Sequence, residues 1–447
     1  MLKREHNELL SRVGPGTPMG ELFRRFWLPA ILSKEIAAPD SAPKRLRILK
    51  EDLIAFRDTE GRVGIVSAYC SHRGAPLYFG RNENCGLRCP YHGWKFGVDG
   101  RCQETPNVPA GAPDVRSSVA IKAYPVREAG GVVWIYMGPP ELEPELPGLG
   151  YVTAPEGQAY SARWLQRSSW LQGVEGEIDS SHISWLHKDF DENLSKQAAA
   201  GSQLSDDRSP VIELRETDYG FAYGARRNMG EQGYLWRMTH WLAPIFSLIP
   251  RAPGEFKTCG GRAFVPVDDN HCTVFTFGFR IDRPFNEEEI AEYESGALFP
   301  PRMQAGSHAL PDGYVIDTFL PLACKENDYL LDRDMQRTVN YSGIWGIHDQ
   351  DRALAENSRS IGGGDAGILD RREEHLVSSD RAVIMARRRL IKLATDLTTG
   401  IEPNQPRNPD WFAAHAISKI TPIDTFDALL QVYRQETYPR SGGTAEA

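Results

Sequence analysis

Two short segments in the first quarter of the chain constrain it more than anything else: Cys70 and His72, then, after sixteen residues, Cys89 and His92. Each segment, Cys-x-His or Cys-x-x-His, offers one thiol and one imidazole. The surrounding residues fit two turns, each following a strand, folded side by side over the ligands. Gly64 to Tyr69 and Gly86 to Arg88 read as strands, while Arg73-Gly74-Ala75-Pro76 and Pro90-Tyr91-His92-Gly93-Trp94 read as turns. Structural zinc also takes two Cys and two His, but zinc fingers usually present a Cys pair and then a His pair. Here the two types alternate within each half. That order suits a [2Fe-2S] cluster with two thiolates on one iron and two neutral imidazoles on the other, an exchange that raises the reduction potential. Gly74 and Gly93 are expected to let backbone amides approach the cluster sulfides. Cys85, four residues before Cys89, has no histidine at the right spacing and reads as a free thiol.

A cluster domain of this kind needs about a hundred residues, whereas the chain has 447, which implies roughly two or three domains. Hydrophobic content of 41% can fill a large core, and a net charge of -9 leaves no basic footprint for nucleic acid. The start, Met1-Leu2-Lys3-Arg4-Glu5-His6, is charged and precedes no apolar run long enough for a signal peptide or membrane span. A cytoplasmic location is therefore expected. Outside the cluster motif, Cys85, Cys102, Cys259, Cys272 and Cys324 show no regular spacing, so no disulfide framework is expected.

The first forty residues are expected to form a helical packing arm, with Gly20 to Trp27 apolar at helical spacing before Pro29 stops the helix. Short alternating strands follow from Lys44, including Asp52 to Arg57 and Val63 to Tyr69, and recur to Gly131–Tyr136. A proline-rich stretch from Gly138 to Gly148 admits no regular element and marks a boundary. The division is thus an arm over 1–40, a cluster domain over 41–140 and a second domain over 150–440. The second domain opens with a helical segment around Trp170 to His187 and continues through strand-like runs at Phe221 to Ala225, Tyr234 to Trp241 and Cys272 to Ile281. It ends in an amphipathic helix from Arg381 to Leu397, so a sheet wrapped on a long helix, an α+β arrangement, uses these pieces. Gly362-Gly363-Gly364 reads as a mobile loop and the tail from Ser441 as disordered.

Within the second domain, Asp179, His182 and His187 supply half of a 2-His-1-carboxylate site for non-haem Fe(II). Alone, such a histidine pair is better explained by ordinary core or surface residues. The upstream cluster changes this, because a one-electron carrier needs a destination. Positions five apart on a regular helix point about 140° from each other, so shared ligation requires a distortion, such as a π-type bulge. Asp179, one turn before His182, is placed to accept that ring's other N–H rather than to bind metal. The third ligand is expected in Tyr341 to Arg352, where His348, Asp349 and Asp351 all qualify, or at Glu356 just beyond.

With these motifs in place, the chain resembles the oxygenase (α) subunits of Rieske non-haem iron aromatic-ring-hydroxylating oxygenases. Met1 to Leu10, Gly173 to His182, Asp349-Gln350-Asp351 and Arg371 to Leu376 are similar to the phthalate 4,5-dioxygenase group. The resemblance covers nearly the full length. It implies an N-terminal all-β Rieske [2Fe-2S] domain, then a helix-grip (START-like) catalytic domain with an antiparallel sheet around a long C-terminal helix. The family pattern sets its carboxylate ligand five residues before a Glu, which Asp351 and Glu356 match, with Asp349 as second choice. A flavin and iron-sulfur reductase drawing on NADH or NADPH is implied as partner, with O2 and a small aromatic molecule as substrates. Also implied is a homotrimer or stacked hexamer, in which Asp179 joins His92 of one subunit to His182 of its neighbour.

Pocket walls are expected on strands carrying Arg226, Arg227 and Arg237, with Trp236, His240 and Trp241 alongside. Arginine clamps a carboxylate or sulfonate and aromatic rings stack on an aromatic substrate, although surface or interface charges are the plainer explanation of any one arginine. Two reactions fit: dihydroxylation of a phthalate-like or benzoate-like acid, or monooxygenation such as O-demethylation of a methoxy-aromatic acid. A Rieske electron-transfer or iron-sensing protein without its own substrate, or a zinc-binding interaction module, would leave His182, His187 and Asp351 without a role.

Overall fold

The computed structural model describes residues 2–190, 207–251, 258–361 and 368–438; the Gly362-Gly363-Gly364 run and the tail from Ser441 lie outside the described residues. Two helices open the arm, α1 (Arg4–Ser11) and α2 (Pro18–Phe23). Thr17 caps α2 by accepting the Gly20 N–H, and Pro18 sits in the first turn, where a missing N–H costs nothing. The helical expectation fails beyond Phe23, because Trp27–Leu32 is a strand, β1. All six of its residues are buried, which a one-sided helical stripe could not achieve. Pro29 is tolerated because β1 is a sheet edge whose register shifts between Pro29 and Ile31.

Nine further strands build the N-terminal domain: β2 (Lys44–Ile48), β3 (Glu51–Arg57), β4 (Val63–Ser67), β5 (Arg81–Glu83), β6 (Gly86–Arg88), β7 (Lys95–Phe96), β8 (Cys102–Glu104), β9 (Val126–Ala129) and β10 (Val132–Tyr136). They pair antiparallel in three sheets, β1-β10-β9, β2-β3-β4 and β5-β6-β7-β8. The segment after β4 and the β6–β7 connection carry the two Cys/His segments.

The second domain is built on an eight-stranded antiparallel sheet. Its first strand, β11 (Ala159–Gln166), is followed by helices α3 (Trp170–Glu177) and α4 (Ile183–Leu186). Then come β12 (Val211–Thr217), β13 (Gly220–Asn228), β14 (Tyr234–Leu242), β15 (Phe246–Leu248), β16 (Thr258–Pro266) and β17 (Cys272–Arg280). The order is β11-β17-β16-β15-β14-β13-β12, with a late strand also pairing β14. A hairpin of β18 (Met303–Ala309) and β19 (Val315–Pro321) leans on the first domain, where Asp317 grips Arg45 at 2.8 Å. The chain ends with α5 (Ile347–Ala355), the long α6 (Arg381–Thr398), the late strand β20 (Ile417–Thr421) and α7 (Phe426–Val432).

Strand alternation gives β13 and β14 two different faces. Ala222, Trp236 and Met238 face Phe426 and Leu429 of α7 in a separate small core. The alternate residues, including Phe221, Tyr223 and Ala225, join the main core with Ala386 and Leu390 of α6. The same core takes in Leu10, Leu22 and Phe23 of the arm, and Asn7 Nδ2 donates to Leu369 O at 3.0 Å. Among the described residues, no helix is long and apolar enough to cross a membrane.

Candidate metal centres

The two Cys/His segments fold as matching turns. Cys70 N–H donates to Ala75 O (2.8 Å) and Gly74 N–H to Cys70 O (2.9 Å); Cys89 N–H donates to Trp94 O (2.8 Å) and Gly93 N–H to Cys89 O (3.0 Å). The same two bonds thus recur at the same offsets from each cysteine. Gly74 and Gly93 have φ of +70° and +78°, the left-handed region that side chains avoid. Their own amides close the turns, and the N–H groups of His72 and Arg73 aim at the Cys70 sulfur.

Both cysteines are buried, while His72 and His92 are partly exposed with ring centroids 4.6 Å apart. His72 stacks on Trp94, whose indole donates to Asn107 Oδ1 at 2.7 Å. Thiols inside and imidazoles outside fit a cluster whose sulfur-ligated iron lies deep and whose histidine-ligated iron lies near the surface. Burial pushes the Cys70 thiol up to about 11, so a thiolate there needs the compensating charge of iron. Cys85 is a free thiol, as expected.

In the second domain, α3 stops at Glu177 and α4 is a single turn with His182 at its N-cap and His187 at its C-cap. The break between α3 and α4, over residues 178–181, lies before both histidines; between them the distortion is not a π-bulge but the end of the one-turn helix at His187, whose φ of -100° and ψ of 19° leave the helical range. The two Nε2 atoms lie 3.2 Å apart. Arg227 of β13 holds the break, donating to Ser180 O (2.6 Å), Ser180 Oγ (3.2 Å) and Ser184 Oγ (3.4 Å). From α5, Asp351 Oδ1 lies 3.1 Å from His187 Nε2 and 3.6 Å from His182 Nε2. Ligand atoms of these three residues all fall within 4.8 Å of one another, which fits one metal ion. Burial raises the Asp351 carboxyl, but His187 and His182 outweigh it and hold it down to about 2.

Each histidine has a second partner. Asp179 Oδ2 lies 3.5 Å from His182 Nδ1, while Asp179 Oδ1 accepts the Ser181 N–H at 2.7 Å. Burial lowers His182, but Asp179 more than offsets this and leaves its pKa above the usual value. Gln350 Oε1 meets His187 Nδ1 at 2.6 Å, and its amide donates to Ile344 O at 2.9 Å, leaving His187 Nε2 free for metal. Sequence reading missed Gln350; its only signal was adjacency to Asp351. Asp349, two residues before Asp351 and so about 200° around the helix, instead binds Arg352 at 2.8 Å. Arg352 also bonds Ala323 O (2.8 Å) and Glu356 Oε1 (3.0 Å), and Tyr329 donates to Glu356 Oε2 at 2.6 Å, a buried network that anchors α5.

The expected pocket residues divide between the two faces of the sheet. Arg226 and Trp236 do not join the site: Trp236 donates to Ile423 O at 2.7 Å and stacks on Phe426, while Arg226 lies over Tyr234 and reaches Asp424 O. Register pairs these two with each other on the α7 side, away from the histidines. His240 on that face is spent on Tyr219 and His415 O. Arg237 lies on the inner face with Arg227 and Trp241. Burial lowers both Arg227 and Arg237 to about 10, and neither forms an ion pair with a carboxylate among the described residues. A cavity of 250 Å³ bordered by Asp179, His182, Asp351, His348, Glu177 and Phe264 opens beside the histidines.

Comparison with known proteins identifies the two domains. Residues 26–125 match the Rieske [2Fe-2S] domain and residues 135–410 the LigXa C-terminal domain like family. The chain is 37% identical over 413 residues to the 3-chlorobenzoate-3,4-dioxygenase oxygenase subunit of Comamonas testosteroni, covering 88% of each. It is also 37% identical over 397 residues to the phthalate 4,5-dioxygenase oxygenase subunit of Pseudomonas putida, covering 87% of this chain and 85% of the relative. The crystal structure of dicamba monooxygenase bound to dicamba shares the fold, with a TM-score of 0.57 at 18% identity over 84% of this chain and 98% of that one. The chain belongs to the Rieske oxygenase family, as an oxygenase subunit of the phthalate 4,5-dioxygenase-like group.

Proposed function

We propose that this oxygenase subunit oxidises a small aromatic carboxylate, phthalate-like or a substituted benzoate, by dihydroxylation, with Cys70, His72, Cys89 and His92 holding the cluster and His182, His187 and Asp351 holding a mononuclear Fe(II). The observation that carries this is the convergence of His182, His187 and Asp351. When bound, the cluster supplies single electrons and the ferrous ion supplies the activation of O2. The protein's part is orientation. Asp179 and Gln350 fix the two imidazoles with Nε2 toward the ligand position, and Arg227 holds Ser180 and Ser184 on either side of His182.

Electrons come from NADH or NADPH through a flavin and iron-sulfur reductase. Among the described residues, no hydrogen bond, ion pair or ring contact joins His72 or His92 to Asp179 within the chain. A second copy therefore supplies the link, His92 of one subunit meeting Asp179 and His182 of another, in a trimer or stacked trimers. Exposed aromatics stand at both ends of such a joint: Tyr69, Phe79 and Tyr91 on the cluster side, and Trp185, Phe190 and Tyr341 beside the histidines. Arg237, buried on the inner face with no anionic partner among the described residues, is the anchor for the substrate carboxylate, since such a guanidinium favours an incoming anion.

The test is single turnover of the reduced protein with 18O2 and a panel of aromatic carboxylates and methoxy-aromatic acids. Two labelled atoms in one ring product are expected. One atom with released formaldehyde would move the reaction to O-demethylation, and cluster oxidation without product from any acid would defeat the proposal. Arg237→Gln is expected to raise KM for the acid while sparing both metal centres; unchanged KM removes Arg237 from the pocket.

A further inference from the structure

His348 lies one turn before Asp351 on α5 and borders the cavity beside the histidines. It is 2% exposed, packed between Trp164 of β11 and Phe299, with ring centroids at 4.8 and 5.0 Å. The Trp164 indole Nε1 is 2.9 Å from His348 Nε2. An indole nitrogen only donates, so His348 Nε2 must accept and carries no proton. The ring proton then sits on Nδ1, which is buried and finds no partner among the described residues. The nearest carboxylate oxygen is Asp351 Oδ2, 4.0 Å away, while Asp351 Oδ1 faces His182 and His187. A bridging water or a small turn of the carboxylate closes that distance.

We propose that Trp164 locks His348 as an Nδ1–H donor that holds Asp351 Oδ2, so that Asp351 presents Oδ1 alone to the metal position. His348 is thus a positioning residue acting through Asp351. The proposal rests on the metal assignment made for His182, His187 and Asp351, and it extends that assignment to a donor lying beyond the three ligands. A buried donor left unpaired costs about 1–3 kcal/mol, so a ring placed only to fill space would be better served by phenylalanine.

The test uses the full chain with its cluster assembled, dialysed to equilibrium against Fe(II) under argon, with iron counted beyond that of the cluster. The cluster's visible absorption and the Tm report folding. His348→Asn keeps a donor near the Nδ1 position but leaves a void; His348→Phe fills the space but removes the donor. Positioning requires that the Asn variant bind Fe(II) nearly as wild type does and that the Phe variant bind about 10–100-fold more weakly. Simple packing requires the reverse order, and that order, or equal binding by both variants, overturns the proposal. Trp164→Phe, which leaves His348 in place but frees its tautomer, is expected to weaken Fe(II) binding in the same direction. Should the position-348 variants not fold, wild-type affinity in Trp164→Phe overturns the proposal by itself. If the wild type takes up no iron beyond its cluster, the metal assignment fails first, a result distinct from any ordering of the variants.

Discussion

The two proposed metal centres are built in opposite ways. The cluster centre draws all four ligands from residues 70–92, on two turns that repeat the same pair of backbone hydrogen bonds. The mononuclear centre draws two histidines from the ends of one helical turn and an aspartate from a helix more than 150 residues later. The first is held by turn geometry and needs little outside its own strands. The second depends on contacts made from afar: Arg227 from the sheet, Gln350 from α5, and a buried network of Arg352, Asp349, Glu356 and Tyr329 beneath that helix. A local centre fails locally, whereas a centre assembled across the fold can be loosened from many places.

Exchanging single ligands tests that contrast most strongly. Asp351→Ala is expected to lose the mononuclear iron and bring product formation to background, with the cluster's absorption and electron paramagnetic resonance unchanged; retained site iron with retained turnover would contradict the ligand assignment. Asp179→Asn should keep both centres yet slow cluster reoxidation in single turnover by about 10–100-fold, because the amide no longer presents a charged acceptor on both sides. Wild-type rates would break the proposed joint between subunits. Gln350→Leu should weaken Fe(II) binding about tenfold, measured by iron content after dialysis, and leave the cluster untouched. The smallest effects lie within the cluster turns. Gly74→Ala and Gly93→Ala each place a side chain at positive φ, costing about 1–2 kcal/mol. Gly93→Ala should lower Tm further, because its new methyl would meet Pro106 Cγ at 2.6 Å whereas Gly74 has open space. Equal losses would show that backbone strain alone sets the cost.

Legibility in the sequence follows the same division. Cys70, His72, Cys89 and His92 were readable because their chemistry and spacing lie within one short stretch. His182 and His187 stood out as a pair and Asp351 only through the family resemblance, since spacing alone left several candidates; the break between α3 and α4 was not visible, and the contact that holds it, Arg227, comes from a strand far along the chain. Gln350 was invisible because a glutamine gains a role only from the ring it faces. Arg226 and Trp236 were misjudged for a reason of parity. Neighbours on a strand point to opposite sides, and sequence did not say which of Arg226 and Arg227 faced inward. The strand at Trp27–Leu32 was mistaken for helix because burial on every side erases the periodicity that distinguishes the two.

The docking of α1 and α2 against α6 has a consequence for synthesis. Residues 381–398 are made long after the arm, so Leu10, Leu22 and Phe23 are not fully covered until that late helix arrives, whereas the cluster domain finds its strand partners within residues 27–136. Earlier partners cover the arm in stages: Phe23 meets Trp170 edge-on at 4.8 Å and Arg12 pairs with Asp269. A nascent chain stalled before α6 would still present part of that apolar face to chaperones.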